Sequence, residues 1–355
     1  MTAGHSASAA AVAELFARST NSAKSIAAGD AQWQAFVAAG FPWAAVPQER
    51  GGPDGAVRDA VDVVREIGRA AAAVPAGETD LLGDWLLKAA NLPAVPDLLA
   101  VAPGDPSDDL RLLRDGERIA LSGTANRVAW ASRSGRFVAI VREADTNYVV
   151  CVPVDRLTIL TGESLAGEPR DTVTADTVPL TTDEIGAAPH VDIVELRARG
   201  AAIRAVQIQG AVEAVVELVV AHCAMRKQFG RRLQDFQVVG HQLALMREQA
   251  TLVRAAADLA RSALEGSGSW EDAAVAKIVA GDAAGQVAKT AHQLHGAIGV
   301  SDEYVLHRYT RRLWAWRDEY GGESEWAGRL GARLVDRGPG ALWPWLTASD
   351  EEAAI

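Results

Sequence analysis

Apolar residues over the first ninety positions recur at helical spacing. In "AVRDAVDVVREIGRA", Val57, Val61, Val64 and Ile67 fall near one face while Arg58, Asp62 and Arg65 lie off it, which predicts an amphipathic helix. "FPWAAVPQERGGPDG" interrupts with prolines and glycines and reads as a loop. "AVPAGETDLLGDWLLKAANLP" predicts another helix between proline boundaries. From about 98 to 182 the period changes. "RIALSGTANRVAWA" and "GRFVAIVREADTNYVVCVPV" are short, β-branched and partly alternating, with turn signals at Asp115-Gly116, Ser134-Gly135 and Asp145-Thr146-Asn147. They predict a compact antiparallel domain of roughly five to eight strands. Beyond about 191 helix returns. Ile208, Val212, Val215, Val216, Val219 and Cys223 form one apolar stripe, and Leu245, Leu252 and Leu259, with Ala256 and Ala263 between them, a second. "DAAVAKIVAGDAAGQVAKTAHQLHG" is a third helix, rich in alanine and glycine and suited to close packing.

The expected architecture is mainly α with a central β domain. An N-terminal helical domain covers 1–97, a middle β domain 98–190 and a C-terminal helical bundle 191–337, followed by a surface tail over 338–355. Composition changes this little. Acids outnumber bases 46 to 35, for a net charge of −11, which argues against binding duplex nucleic acid. Cys151 and Cys223 have neither zinc-ligand nor disulfide-framework spacing. The start lacks the order of a signal peptide, and no apolar stretch is expected to reach the length of a membrane span. A cytoplasmic protein is expected, with no membrane partner.

Three stretches carry candidate chemistry. "RKQFGRRLQDFQ" ends a stripe-bearing helix at Gly230 with Arg226, Lys227, Arg231 and Arg232 nearby. Cations there complement the helix dipole, the commoner explanation, but an arginine fork also matches phosphate oxygens. "QLHGAIG" places Gly296 and Gly299 where backbone can approach a ligand, or where a helix simply ends, with His295 an ordinary loop residue. "DEYVLHRYTRRLWAWRDEYGG" carries His307, Arg308, Arg311, Arg312 and Arg317 among tyrosines and tryptophans, and its plain reading is an amphipathic helix. It runs into "RDEYGGESEW", where Gly321 and Gly322 sit among Asp318, Glu319, Glu323 and Glu325.

In this order and at these separations the stretches resemble the C-terminal domain of the acyl-CoA dehydrogenase family. The family's Arg-x-x-Phe-Gly element is matched by Arg226, Phe229 and Gly230, its following glutamine by Gln237, its Gln-containing glycine loop by Gln293, Gly296 and Gly299, and its later arginine by Arg311. "WQAFVAAGFPWAAVPQERGGPDG…VVREIGRA" is similar to the N-terminal signature. The resemblance implies an N-terminal helical domain, a middle antiparallel β-barrel domain and a C-terminal four-helix bundle. It implies FAD, an acyl-CoA thioester substrate, and a glutamate that removes the proton beside the thioester carbonyl while FAD takes a hydride from the next carbon.

Departures from the family are selective. The glutamate's position, counted from Arg311, holds Tyr320, and only a one-residue slip brings in Glu319, the fallback base, with Asp318 next. The alternative base position on the earlier helix holds Gly200, with Glu195 more than a turn away. In the β domain Arg127, Val128 and Ala129 stand where the family's Trp-Ile-Thr-like strand holds the flavin ring, Trp130 is out of register and reads as core, and the Thr-Glu-Pro-like run is missing. The elements retained are those that in the family reach a neighbour's FAD. The resemblance therefore implies Arg226, Phe229, Gln237, Gln293, Gly296 and Gly299 as cofactor contacts. It points to the shorter, non-catalytic subunit of an α2β2 enzyme of actinobacterial steroid degraders. A self-sufficient dehydrogenase using Glu319, homo-oligomeric or not, and a flavin-free structural subunit are the alternatives.

Overall fold

The computed structural model describes residues 7–19, 26–53, 55–340 and 342–347; the rest of the predicted tail and the extreme N-terminus lie outside them. Contacts divide the chain into two compact units, 1–200 and 201–355.

The first unit opens with α1 (Ala7–Ser19), α2 (Ile26–Ala38) and α3 (Val57–Ala70), and α1 packs on both α2 and α3. In α3 the predicted face holds: Val61, Val64 and Ile67 are buried and Arg58 is exposed. The expected helix at 78–89 begins as a π-helical turn over Glu78–Asp84 and tightens into α4 (Trp85–Ala89). Widened turns of this kind recur at functional sites.

Eight strands follow in two four-stranded sheets. One has the order β1 (Leu99–Val101), β4 (Arg136–Glu143), β5 (Thr146–Pro153), β8 (Ile185–Ala187). The other runs β2 (Arg111–Asp115), β3 (Arg118–Ala129), β7 (Arg170–Leu180), β6 (Thr158–Leu160). Both sheets point Phe137, Val141, Val152, Leu121, Val128 and Val173 into one shared core, the arrangement in which each sheet hides the apolar face of the other. All of these pairings are antiparallel except β1 with β4, which is parallel. Two of the three predicted turns join hairpin strands, at Gly116 and beside Asp145. Trp130 is core, as its plain reading held, with its ring 4.9 Å from that of Trp33.

Helix α5 (Ile193–Met225) is 33 residues long and corrects one expectation: by length and hydropathy it could span a membrane. It is instead mostly buried within the protein, and its buried Arg204, Gln209 and Glu213 have hydrogen-bonding partners, as a core helix requires. The predicted stripe from Ile208 to Cys223 is buried throughout.

In the second unit α6 (Gln237–Glu265) packs along α7 (Trp270–His295), and α7 contacts α8 (Leu306–Asp318) and α9 (Glu323–Arg337); α10 (Leu342–Thr347) ends the described chain. Ser269 caps α7 through reciprocal bonds with Asp272 at 2.7 and 3.3 Å. The second predicted stripe is corrected. Leu245, Leu252 and Leu259 are 46, 47 and 37% exposed, while Met246, Ala250, Val253, Ala257, Ala260 and Leu264 are buried. The buried positions of α7 include Ala273, Ala280, Ala284 and Ala288, small side chains that let neighbouring helices approach closely.

Candidate functional site

Arg226 is the first residue past α5, its N–H bonded to His222 O at 2.9 Å. Beyond it the chain forms a hairpin, which the sequence reading had not anticipated. β9 (Lys227–Gln228) pairs antiparallel with β10 (Arg231–Arg232), leaving Phe229 and Gly230 as the two-residue turn. Both have positive φ, 51° and 77°, the combination a tight primed turn demands. Glycine accepts it freely, whereas a phenylalanine there is strained. The Phe229 side chain is 92% exposed, touching edge-on the ring of Phe236, over which Arg231 stacks at 3.9 Å. Gln237 follows as the exposed first residue of α6. The tip thus offers arginines, an aromatic face and an amide.

The glycine loop lies beside the root of this hairpin through a pair of histidines. His222, one helical turn before Arg226, stacks on His295 with ring centres 4.3 Å apart. His295 Nδ1 donates to Ala291 O at 2.9 Å, and Nε2 lies 3.1 Å from the Tyr304 hydroxyl. Burial lowers the affinity of both histidines for a proton, and Arg226 adds to this at His222. His292 reaches Thr310 of α8 at 2.9 Å, and His307 Nδ1 lies 2.7 Å from Tyr304 O. Gly299 packs so closely on His295 that a Cβ there would sit 2.8 Å from the histidine's own. Gln293 and Gly296 are exposed on the outer side of the loop. Arg226, Phe229 and Gln237 are therefore gathered at the hairpin, and Gln293, Gly296 and Gly299 adjoin it across the stack. Arg311 is exposed on α8.

At the far end of α8 the acids of "RDEYGGESEW" are engaged. The Glu319 carboxylate accepts from Arg204 Nε at 2.6 Å, and Arg204 also donates to Gln207 at 2.8 Å. Glu323 accepts from Arg317 at 2.5 Å, filling a notch left by Gly281, where a Cβ would lie 2.2 Å from its Oε1. Glu325 pairs with Arg329 at 3.3 Å. Tyr320 is buried, and its carbonyl accepts from Trp326 Nε1 at 3.0 Å. Gly321, at φ 100°, makes the turn. Beneath it the buried Lys277 ammonium donates to Gly321 O at 2.7 Å and to Arg317 O. Burial pulls Lys277 down to about 8, against the opposing pull of Glu323 and Glu319. A base here must be free to give up its charge; protonating Glu319 would strand the buried Arg204 without its partner. Of the other acids considered, Asp318 is exposed, while Glu195 is half-buried, with its carboxyl raised by burial and opposed by Arg199.

In the first unit, β3 is closed by its own loop. Asn126 N–H donates to Asp108 at 2.7 Å, Thr124 N–H to Asp109 at 2.5 Å, and Arg127 Nε to Asp105 at 2.7 Å. Burial alone would raise Asp105, but hydrogen bonds from Ser107 and Arg127 outweigh it and hold the carboxyl below its ordinary range. Val128 and Ala129 are buried. The N–H groups of Thr124 and Asn126 are therefore already satisfied by the aspartates of the preceding loop.

The donor set fits one half of FAD and not the other. Exposed Arg226, Phe229, Gln237 and Gln293 offer forked cations, an aromatic face and amides suited to a diphosphate and an adenosine. The β3 strand, occupied by its own aspartates, does not fit a flavin ring. Three residues beyond the motifs, His222, Arg204 and Lys277, were missed by the sequence reading, and Tyr304 was noted only as one of the aromatics of its stretch. Only His222 left a usable signal, its spacing of four residues from Arg226 at the end of α5.

A family model for the acyl-CoA dehydrogenase C-terminal domain matches residues 197–335. The acyl-CoA dehydrogenase IpdE2 of Mycobacterium tuberculosis is 30% identical over 267 residues, covering 75% of this chain and 74% of that protein. Among solved structures, a chain of the ChsE4-ChsE5 complex from Mycobacterium tuberculosis superposes with a TM-score of 0.83 at 20% identity, covering 94% of this chain and 99% of that one. A variant of the Tcur3481-Tcur3483 steroid ACAD gives 0.81 at 23% identity, covering 93 and 97%. These two show the fold alone, while the relationship to IpdE2 and the matched C-terminal domain establish the family. The chain belongs to the acyl-CoA dehydrogenases.

Proposed function

We propose that this chain is a subunit of an FAD-dependent acyl-CoA dehydrogenase that completes the FAD site of a catalytic partner in a heterotetramer. The observation that carries the reading is the split within the chain. Arg226, Phe229 and Gln237 at the hairpin, with Gln293 and Gly296 beside it, are exposed and chemically suited to a dinucleotide. Glu319, in contrast, is ion-paired to Arg204, and the β3 donors are spent on Asp108 and Asp109. Arg226 would hold diphosphate oxygens by charge-assisted bonds, the Gln293–Gly299 loop would approach the same group, and Phe229 and Gln237 would line the adenosine. FAD supplies hydride acceptance in this family; the proton-abstracting carboxylate would come from the partner. Two-subunit assemblies among the structural neighbours support a second acyl-CoA dehydrogenase subunit as that partner. The steroid ACAD among them supports an acyl-CoA derived from a steroid as substrate.

The test is to co-express this chain with a candidate partner, first an acyl-CoA dehydrogenase encoded beside it, and to read flavin absorbance per chain. One FAD per two chains, with this chain colourless alone, is expected. A full flavin complement on the isolated chain, with turnover of an acyl-CoA, would overturn the reading in favour of a self-sufficient enzyme. Colourless protein even in the complex would leave a structural subunit.

A further inference from the structure

The diphosphate reading gives the stacked histidines a task. We propose that His222, held against His295, is a proton-dependent cation of the diphosphate site, taking up a proton as the anion binds beside Arg226. The inference rests on the reading that Arg226 meets a diphosphate.

Arg226 just past the end of α5, the His295 ring on α7 and Tyr304 from the segment before α8 face His222, with His292 and His307 one step beyond. A cation and partial burial on these sides both oppose a second positive charge, so the imidazole stays neutral near pH 7. The pair also cannot hold two protons, since like charges with ring centres 4.3 Å apart repel.

A diphosphate ester at Arg226 brings two negative charges and reverses the sign of the local field. Of the two rings, His222 is the one placed to respond. His295 is buried with Nδ1 engaged by Ala291 O and Nε2 facing the Tyr304 hydroxyl. His222 is half-exposed in the last turn of α5, where free carbonyls favour a cation. The stack against His295 fixes its ring so that no ordering cost falls on ligand binding. Proton uptake on binding is the thermodynamic consequence, and affinity then rises as pH falls.

The probe is ADP-ribose, whose diphosphate is esterified at both ends and has no group of its own titrating near neutral pH. It is titrated calorimetrically into the flavin-stripped complex of this chain with its co-expressed partner at pH 8.0 and 6.5, in buffers of differing ionisation enthalpy. The expected result is proton uptake at pH 6.5 and a several-fold gain in affinity over pH 8.0, bounded at about tenfold per pH unit for one proton. His222→Gln should bind as the unaltered chain does at pH 8.0 but lose both the uptake and the pH dependence. Should that variant misfold, the His222 ring protons of the unaltered chain, followed by NMR, should titrate at higher pH with ADP-ribose than without. Binding with no proton uptake overturns the role of His222 and leaves the diphosphate reading standing. No binding at either pH, in the unaltered chain and Arg226→Gln alike, overturns both.

Discussion

The Nε of Arg204 donates to the Glu319 carboxylate at 2.6 Å, joining the middle of α5 to the turn after α8. The carboxylate nearest in sequence to a catalytic position is spent on neutralising a buried arginine.

Removing the acid, which leaves the more deeply buried charge of Arg204 uncompensated, should therefore destabilise the chain at least as much as removing the arginine. Arg204→Met is expected to cost about 3 kcal/mol, the lower end for a buried pair because Glu319 keeps some solvent contact. Glu319→Gln, which keeps an acceptor but removes the charge that neutralises Arg204, should cost about 3 kcal/mol or more. Urea unfolding of both, with the double variant to give the coupling, measures this. In the assembled enzyme Glu319→Gln should leave turnover unchanged; its abolition with flavin retained would make Glu319 the base.

Lys277 makes stability depend on alkaline pH. The unfolded lysine keeps its proton to 10.5, whereas in the folded protein it releases it near 8. Between these values the unfolded state binds more protons, so this group's contribution increases as pH rises from 8 towards 10.5 and is lost on the way down. The slope is at most about 1.4 kcal/mol per pH unit. Urea midpoints at pH 7.5 and 10 should show this gain, and Lys277→Met should lack it.

Asp80 acts in the opposite sense at lower pH. Burial pushes its carboxyl up to about 7, against hydrogen bonds from the Ala45 and Leu81 N–H groups, while the unfolded group releases its proton near 3.8. The folded state holds the extra proton in this window, so stability from this group falls as pH rises from about 4 to 7. Comparing Asp80→Asn with the unaltered chain at pH 5 and 8 should show the variant gaining relative stability at pH 8.

Phe229 should separate the chain's own stability from its function. Asparagine tolerates positive φ better than phenylalanine does, so Phe229→Asn should leave thermal stability equal or slightly higher. Flavin retention by the complex should fall, because the exposed aromatic face is gone. Loss of stability together with flavin would show that Phe229 serves only the hairpin.

The register of α6 is open to a paired test. Leu245→Asp on the isolated chain should stay within about 0.5 kcal/mol, since the side chain is part-exposed. Val253→Asp buries a carboxylate and should cost at least 3 kcal/mol or prevent folding. Equal effects would place the buried face elsewhere.

What the sequence determined by itself is set by local physics. Helical spacing located α3 and the buried stripe of α5, alternation located β3, β4 and β5, and the turn signals at Asp115-Gly116 and Asp145 located two of their junctions, because each signal lies within a few residues of the element it shapes. The arginine and glutamine-glycine motifs were legible for the same reason, as short strings with fixed spacing. Tertiary structure decided what depends on partners far along the chain. Leucines and alanines on α6 are both apolar, and only the packing of the folded chain chooses between them. Glu319 reads as a spare acid until Arg204, more than a hundred residues earlier, is brought to it. The same holds for Lys277 under Gly321, Asp108 against Asn126 and His222 on His295: each pairing is made by packing, and charge and hydrogen bonding act over a few ångströms of space, not of sequence.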